Sequence, residues 1–347
     1  MHHTSFSPLG RKHHRGARLD CDSGSRADRS KMNERWHDDL LSLPTEEVPH
    51  CLLCKTMAGV EDARWRSLLA LPNPYSVLHC PQCELRWLSP RPDMQGYRLL
   101  YSREHYFGGG GAAPENYEVV VAGRLDYFSK RIRRAAVALQ RRAPLSMLDY
   151  GAATGEFVAV ARSEGHLCEG IELSDDARNT AEERLGIVLL SAQQADQLEP
   201  SQFDVIHMNH VLEHMPDPLA HLRWSLRLLK ADGLLVVEVP QQFDNDLDRV
   251  RRFLRIGGRQ RRFDAYSLHH TYFFTPATMT RMLRVAGFEP QTINTFNADK
   301  TPLWPPSARN WILRAWLGLS DRVHDGGNIV EVFARPRGKA VAAVGEA

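Results

Sequence analysis

Residues 147–155 read Met-Leu-Asp-Tyr-Gly-Ala-Ala-Thr-Gly, and this stretch decides the fold class. Ser146–Tyr150 is typical of a short buried strand, and the pattern after the turn predicts a helix from about 156 to 164. The turn consists of small residues, and Gly151 and Gly155 permit backbone conformations that other residues avoid. Free N–H groups at the start of the helix suit a carboxylate or a phosphate. Such a turn can also merely join a strand to a helix, so it does not establish a ligand site by itself.

Outward from this turn, strand patterns alternate with helix patterns along the chain. The further predicted strands are Leu167–Leu173, Ile187–Leu190, Phe203–Met208, Leu234–Val239, Glu289–Phe296 and Ile329–Ala334. The further predicted helices are Asp175–Leu185, which Ser174 caps, Asp217–Leu229 and Thr275–Val285. This alternation predicts a Rossmann-like α/β fold, doubly wound around a mostly parallel seven-stranded sheet. In such folds ligands bind at the carboxyl ends of the strands, where the strand order reverses.

The residues after the turn separate two classes of nucleotide-binding enzyme. Glu172 stands about 20 residues after the glycine turn, where an acid accepts hydrogen bonds from ribose hydroxyls, as it also would in an NAD-binding protein. Residues 203–218 (FDVIHMNHVLEHMPDP) and 228–240 (LLKADGLLVVEVP) resemble the class I S-adenosylmethionine-dependent methyltransferases. Members of that family show FDvv…vLEHvpDP and LkpGG.l.i..P in this order. The resemblance extends over residues 145–296 and implies methyl transfer from S-adenosylmethionine.

This resemblance implies a cosubstrate site at the carboxyl ends of the strands. Its residues would be Asp149, Gly151, Ala152, Ala153, Gly155, Glu172, Leu173, Gln194, Ala195, Asn209 and His210. The turn residues would line the methionine part, Glu172 would hold the ribose, and Asn209 with His210 would face the sulfonium and the acceptor. Two positions depart from the family pattern. Ala153 stands at the middle glycine, and Gln194 replaces the usual Asp near the adenine.

A general base assists the reaction if the acceptor is a hydroxyl. The candidates are His210, Glu213, His214, His269 and His270. Glu213 and His214 open a helix, so a role in fixing the loop suits them equally well. Residues 269–276 resemble the family segment HxxxFt near the acceptor mouth. No NPPY sequence follows the fourth strand, and Cys168 lies at the start of the second strand, which argues against adenine amino methylation and against a cysteine nucleophile.

Four of the six cysteines form two C-x-x-C pairs separated by 25 residues, namely Cys51, Cys54, Cys80 and Cys83. This spacing predicts tetrahedral zinc binding in a reducing compartment. Four thiolates leave no open coordination position, so the predicted zinc is structural. A module that keeps its shape without metal and a redox pair stay as alternatives.

Residues 84–107 resemble a methyltransferase group whose zinc-knuckle N-terminus precedes the catalytic domain. Members of that group often act in the tailoring of sugars, polysaccharides or secondary metabolites. By this resemblance the module folds over the catalytic cleft and contributes to acceptor binding.

The predicted organisation has five parts: a disordered basic tail over 1–47, a four-cysteine zinc-binding module over 48–95, a helical connector over 96–143, a methyltransferase domain over 144–338 and a tail over 339–347. Met32 is a candidate physiological start. In the connector, Leu125, Phe128, Ile132, Ala135 and Leu139 have helical spacing, which predicts an amphipathic helix over Leu125–Arg142. Gly108–Gly111 is a predicted break before this helix.

Charge and hydropathy bound the partners. The net charge of +2 argues against nucleic acid as the main partner, and no apolar run reaches the length of a membrane span. We therefore expect a cytoplasmic enzyme with a small-molecule or saccharide acceptor. Arg249–Arg262 contains seven arginines in fourteen residues and would either clamp a phosphate-bearing acceptor or form a solvated helix. Trp304–Trp316 is either an aromatic lid or a packing element.

Two other functions stay open at this point. An RNA methyltransferase would hold RNA with the zinc knuckles and the arginines. A catalytically inactive binding protein would keep only the fold, and Ala153 at the glycine position is compatible with it. The sequence does not determine the acceptor, the methylated atom (O, N or C) or the oligomeric state.

Overall fold

The structure is a computed structural model of the 347-residue chain. It describes residues 40–100 except 56, 117–249 except 244 and 247, 263–297 except 264, 326–338, and the single positions 311, 315 and 319. Two units are distinguished, Met1–Ser42 and Leu43–Ala347. Of the first unit only residues 40–42 are described, and the first two of them are helical.

The strands within these ranges are β1 (Thr45–Glu46), β2 (Val60–Glu61), β3 (Ser76–His79), β4 (Arg86–Ser89), β5 (Arg91–Pro92), β6 (Ser146–Tyr150), β7 (Leu167–Ile171), β8 (Phe203–Asn209), β9 (Leu229–Pro240), β10 (Tyr272–Phe273), β11 (Phe288–Phe296) and β12 (Ile329–Pro336). The helices are α1 (Ala63–Leu68), α2 (Met94–Leu100), α3 (Tyr117–Leu139), α4 (Glu156–Ser163), α5 (Asp175–Leu185), α6 (Ala192–Ala195), α7 (Pro218–Leu228), α8 (Ala265–His269) and α9 (Pro276–Ala286), with a 3-10 turn at Leu212–His214.

A six-stranded sheet forms the centre of the fold, in the order β11-β12-β9-β8-β6-β7. The pairs β6–β7, β6–β8 and β8–β9 are parallel, and only β12 runs against the other five strands. The strand order reverses at β6, which has β7 on one side and β8 on the other. This confirms the doubly wound α/β class and places the expected ligand crevice at the carboxyl ends of β6 and β8.

The third predicted strand, Ile187–Leu190, is absent from this sheet, which therefore has six strands and not the predicted seven. Within the described residues this segment makes one parallel bridge, between Ile171 and Leu190. The apolar pattern arises because Ile187 and Leu189 are buried in the core. Ile187 packs beside Gly155, and Cδ2 of Leu189 lies 2.6 Å from the place where a Cβ on Gly170 would stand. The segment therefore contributes to the core without forming a ladder.

Helix ends follow local sequence signals. Ser174 accepts a hydrogen bond from the Ala177 N–H at the start of α5, and Gly186 ends that helix with a left-handed backbone. Thr275 and Thr278 form a reciprocal cap at the start of α9. These local signals explain why the predicted bounds of α5 match the structure residue for residue.

The connector helix α3 packs against α4 beside the sheet. Phe128, Ile132, Ala135 and Leu139 of the predicted apolar face are buried, which confirms the amphipathic helix. Leu125 is exposed, so the prediction was wrong for this residue. The helix also begins at Tyr117, eight residues before the predicted start, and ends at Leu139, before Arg142.

The cysteine-containing segment forms a small four-stranded sheet in the order β10-β4-β3-β2. Three of its strands come from residues 60–89. The fourth, β10, comes from the larger α/β part of the chain and pairs through Tyr272 with Trp87 and through Phe273 with Arg86. The module is thus joined to the α/β part by a shared sheet.

Several predicted segments lie outside the described residues. They are residues 1–39 of the basic tail, Gly108–Gly111, Arg249–Arg262 apart from Arg249, Trp304–Trp316 apart from two single positions, and the tail 339–347. None of the described helices is both long and apolar enough to cross a membrane.

Candidate active site and cysteine cluster

The turn after β6 has the close packing that the small residues predict. Gly151 has a φ of +80°, and a Cβ there would stand 2.5 Å from Cγ2 of Val211. Gly155 has a φ of +84° and forms the N-cap of α4. Any residue other than glycine at 151 would force apart the turn and the loop after β8. Ala152 between them is buried.

Ala153, at the position of the middle family glycine, adopts a left-handed backbone with a φ of +47°. Its N–H donates to Oε2 of Glu172 at 2.9 Å, and the Ser174 N–H donates to Oε1 at 2.9 Å. Two backbone donors therefore hold the Glu172 carboxylate at the end of β7. Burial raises the pKa of Glu172 above its ordinary value, although these hydrogen bonds oppose the rise. Leu173, the next residue, is exposed.

Gln194 lies in the short helix α6, and the structure gives its side chain a local role. Its Oε1 accepts from the Ser191 N–H at 2.8 Å, which completes a capping box with the Ser191 hydroxyl. Ala195 beside it is buried. The expected contact of Gln194 with the adenine stays a prediction.

Asp149 ends a buried polar chain that the sequence did not reveal. Its Oδ1 lies 2.7 Å from Nδ1 of His207, and Nε2 of His207 lies 3.1 Å from Nη1 of Arg131. Burial lowers the pKa of His207 despite the nearby Asp149 carboxylate. A neutral His207 that donates from Nδ1 and accepts at Nε2 satisfies both contacts. The chain links the connector helix to the carboxyl end of β6.

Arg131 lies at the centre of this network and is only 2% exposed. Its guanidinium pairs with the carboxylates of Glu238 and Glu331, and it donates to Oδ1 of Asn209 at 3.0 Å. Burial lowers the pKa of Arg131 to about 10. Burial and the charge of Glu331 raise the pKa of Glu238 well above its ordinary value. Asn209, a predicted cosubstrate residue, is thus held by the connector helix.

His210 stands at the end of β8 between two carboxylates. Its Nδ1 lies 3.2 Å from Oε1 of Glu213, and its Nε2 lies 3.2 Å from Oε1 of Glu238. The His210 side chain is 40% exposed, whereas both carboxylates are buried. His210 has a left-handed backbone with a φ of +55°, and its N–H donates to the Glu238 carbonyl. The ring is therefore held on one side by buried groups and is open on another.

Glu213 lies in the 3-10 turn and is fully buried. Burial alone would raise its pKa, but the hydrogen bond from His210 and the nearby His214 ring lower it below the ordinary value. Oε1 accepts from His210, whereas Oε2 is buried and has no hydrogen-bond partner. Of the catalytic candidates, Glu213 is the one that contacts the other members most directly.

The remaining histidines pack beside Glu213. Nδ1 of His214 donates to the His269 carbonyl at 2.9 Å, and Nδ1 of His270 donates to Oε1 of Gln242 at 2.7 Å. Burial lowers the pKa of His270 to about 3 and that of His269 to about 4. Both rings are therefore neutral at physiological pH. The structure brings all five catalytic candidates into one region.

The four predicted zinc ligands also come together. Their four sulfur atoms, those of Cys51, Cys54, Cys80 and Cys83, all lie within 4.8 Å of one another. The sulfurs of Cys51 and Cys83 are 3.5 Å apart. A tetrahedral site of four sulfurs with 2.3 Å zinc–sulfur bonds has edges of about 3.8 Å. The donor set and its size therefore fit zinc. Trp87, which packs in the same core, donates to the Val48 carbonyl at 2.6 Å.

Thr271 connects the cysteine module to the candidate active site. Its N–H donates to the Glu213 carbonyl at 2.7 Å, and its own carbonyl accepts from the Leu88 N–H of β4 at 2.9 Å. The Thr271 hydroxyl lies 2.6 Å from the hydroxyl of Tyr97. Arg91 adds a 2.7 Å hydrogen bond to the Pro216 carbonyl. The module therefore fixes the backbone that carries Glu213 and His270.

Comparisons with known proteins identify the family of the chain. Residues 122–293 match a family model described as a methyltransferase domain. A ubiquinone biosynthesis O-methyltransferase from Thiobacillus denitrificans is 30% identical over 178 residues, which cover 45% of this chain and 72% of that protein. The chain belongs to the class I S-adenosylmethionine-dependent methyltransferases. Its methyl donor is S-adenosylmethionine, and the turn after β6 with Glu172 fits this cosubstrate.

Other similar proteins are more distant from this methyltransferase. A ubiquinone biosynthesis O-methyltransferase from Neisseria meningitidis is 26% identical over 159 residues, which cover 41% of this chain and 63% of that protein. A solved structure of Burkholderia thailandensis 1,6-didemethyltoxoflavin-N1-methyltransferase, with its substrate and S-adenosylhomocysteine bound, has a TM-score of 0.46 at 16% identity. That match covers 77% of this chain and 98% of the other.

Proposed function

We propose that this methyltransferase transfers the methyl group of S-adenosylmethionine to a hydroxyl oxygen of a small-molecule acceptor, with His210 as the general base. The observation that carries the proposal is the position of His210 between the buried carboxylates of Glu213 and Glu238, 3.2 Å from each. A partly exposed imidazole at the carboxyl end of β8, oriented by a buried carboxylate, is suited to removing a proton from an incoming hydroxyl.

Each residue of this group has a separate task. Glu213 accepts the Nδ1–H of His210 and so leaves the lone pair on Nε2. Nε2 takes the hydroxyl proton once the acceptor hydroxyl replaces the 3.2 Å contact of Nε2 with Glu238, and the Glu238 carboxyl stabilises the imidazolium that forms. When bound, the cosubstrate supplies an electrophilic methyl group on a sulfonium. The protein aligns the acceptor oxygen and excludes water, which is the larger part of catalysis in such reactions.

The cosubstrate residues are assigned in the same proposal. Glu172 holds the ribose hydroxyls, because its two backbone hydrogen bonds leave lone pairs for further donors. The turn residues, with Asp149, line the methionine part. Leu173, Gln194 and Ala195 border the adenine, and Asn209 faces the sulfonium. A structural zinc ion at the four cysteines keeps the module folded.

The proposed acceptor class rests on the curated relatives and on the cysteine module. The curated relatives are named as O-methyltransferases, which favours oxygen as the methylated atom. The zinc-knuckle module resembles that of methyltransferases that tailor saccharides and secondary metabolites, and it adjoins the candidate base through Thr271. We therefore include phenolic, catecholic and saccharide hydroxyls, free and phosphorylated, in the proposed acceptor class.

The experiment is a radiolabelled methyl-transfer screen over these acceptors and RNA, followed by kinetics on the best acceptor. His210→Gln should lower kcat by about 10²–10⁴-fold, while binding of S-adenosylhomocysteine is retained. His166→Gln is the matched control, because His166 is at the opposite end of the sheet and accepts from the Leu145 N–H. Transfer to RNA alone, or an unchanged kcat in His210→Gln, would refute the proposal.

A further inference from the structure

Three side chains beside the candidate base form a cluster that the methyl-transfer proposal does not explain. One ligand atom from each of Glu213, His214 and His270 lies within 4.8 Å of the other two. None of them belongs to the cysteine cluster. Two histidines and one carboxylate are a common ligand set for divalent transition metals, with positions left open for oxygen ligands.

The histidines are oriented in the way that metal ligands are. Nδ1 of His214 donates to a backbone carbonyl, and Nδ1 of His270 donates to the amide oxygen of Gln242. Both hydrogen bonds fix the tautomer that carries its lone pair on Nε2. Metal-bound histidines almost always donate their second ring N–H to such an oxygen, which sets the direction of the ligating nitrogen.

Glu213 supplies an independent observation. Its Oε2 is buried and has no hydrogen-bond partner, which is costly for a carboxylate oxygen. The other oxygen, Oε1, lies 3.8 Å from Nε2 of His214. Ligand atoms at 2.0–2.2 Å from an ion are about 3.0–3.4 Å apart, so a small rotation of these side chains closes the site.

We propose that Glu213, His214 and His270 bind a divalent transition-metal ion such as Fe²⁺, Co²⁺ or Zn²⁺ in a site separate from the cysteine cluster. The three side chains leave coordination positions for water or for an oxygen of the acceptor. A catalytic use of the ion, as the group that binds the acceptor oxygen next to His210, rests on the proposed function. The binding of the ion to these three side chains is independent of that function.

The test is a metal count on the full-length protein. The protein is first loaded with one equivalent of zinc per chain, which the four thiolates bind in preference to the Glu213 cluster, then equilibrated with Co²⁺ and desalted, and both metals are measured by mass spectrometry. The wild type should retain its zinc and bind cobalt without the sulfur-to-cobalt charge-transfer absorption of a thiolate site. Cobalt that replaces zinc at the cysteines would produce that absorption and would be recognised by it.

Variants locate the cobalt. Glu213→Gln and His270→Ala should lose the cobalt that the wild type holds, and Gln242→Ala should weaken its binding by about 10–100-fold. His269→Ala is the matched control: it is adjacent to the cluster, and the backbone carbonyl that His214 uses is retained. Histidines near the N-terminus, at positions 2, 3, 13 and 14, are common to all variants and cancel in the comparison.

The outcomes are distinct. Cobalt that is lost in Glu213→Gln and His270→Ala and kept in His269→Ala supports the site, provided that all variants retain zinc and bind S-adenosylhomocysteine. Equal cobalt in all of them, or none in the wild type, overturns it. A protein that binds cobalt at the cluster but methylates no hydroxyl loses the proposed function and keeps the metal site. A protein that methylates a hydroxyl but binds no cobalt at the cluster keeps the proposed function and loses the metal site.

Discussion

Replacing Arg131 by Met removes a buried cation that bridges two buried carboxylates. Arg131 is 2% exposed, and its guanidinium pairs with both Glu238 and Glu331. Removal of one partner from a buried ion pair costs about 3–5 kcal/mol, because the remaining charge is left in the protein interior. Glu331 keeps a second pair with Arg134 at 2.6 Å, so most of this cost falls on Glu238.

The loss of stability should depend on pH in a defined direction. Burial already raises the pKa of Glu238, and removal of the guanidinium raises it further. The folded variant then binds a proton that its unfolded chain has released, so its stability falls as the pH rises. The slope reaches about 1.4 kcal/mol per pH unit for one proton. The destabilisation should therefore be smaller at pH 6 than at pH 8.

Urea unfolding at pH 6, 7 and 8, followed by circular dichroism, measures these quantities. Arg133→Met is the control, because Arg133 is on the same helix, is 71% exposed and makes one surface pair with Glu164. It should cost about 0–1 kcal/mol at every pH. A cost for Arg131→Met no larger than this, or one without pH dependence, would refute the assignment of Arg131 as a buried counter-ion.

Three further predictions test the turn, the module and the sheet. Gly151→Ala should lower the free energy of unfolding by about 2 kcal/mol or more, since its Cβ meets Val211 and its φ is +80°. Cys80→Ser should release zinc and lower acceptor turnover, whereas the affinity for S-adenosylhomocysteine changes by less than about twofold. Asp204→Asn should cost about 1–3 kcal/mol at pH 7, because Asp204 accepts from the Ser146 N–H and from Lys230, both at 2.9 Å. Burial would raise the pKa of Asp204, but these donors lower it, so this stability is present above the unfolded pKa of about 3.9 and is lost as the pH falls through the folded one.

Each of these predictions has a control in the chain. Gly186→Ala is the control for Gly151→Ala, because Gly186 also has a positive φ of +65° but no atom lies within 4 Å of an added Cβ. An equal loss of stability at both glycines would contradict the steric argument for Gly151. Cys168→Ser should retain zinc, and loss of zinc in both cysteine variants would count against the four-cysteine site. Asp232→Asn, at an exposed partner of Arg141, should have little effect at any pH. An Asp204→Asn cost that does not decrease as the pH is lowered below about 4 would be inconsistent with the carboxylate pairs.

The sequence predicted best what local signals determine. Ser146–Tyr150 and Asp175–Leu185 have the predicted bounds, since a buried strand before a glycine turn and a helix between Ser174 and Gly186 are each specified by neighbouring residues. The four cysteines lie together, as their spacing implied, and three of the five catalytic candidates, Glu213, His214 and His270, form a separate cluster. The prediction of a strand at 187–190 was wrong because apolar content alone does not distinguish a core segment from a strand.

Contacts between distant parts of the chain were not predicted. Arg131 belongs to a predicted amphipathic helix, in which arginines are expected on the solvent-facing side, whereas this arginine is buried. A signal was available: Glu238 and Glu331 lie within runs that read as buried strands, and a buried carboxylate requires a partner. The pairing of β10 with β4 joins residues about 185 positions apart, and no local pattern specifies such a pair.

A calorimetric titration of the zinc-loaded protein with S-adenosylhomocysteine, alongside Glu172→Gln, tests the cosubstrate site. We expect micromolar binding to the wild type, weakened about 10–100-fold in the variant by the loss of charge-assisted hydrogen bonds to the ribose. Glu169→Gln, an exposed glutamate on the same strand, should bind as the wild type does. No binding by the folded wild type, or equal affinity in Glu172→Gln, would contradict the central claim that this turn and this carboxylate hold the cosubstrate.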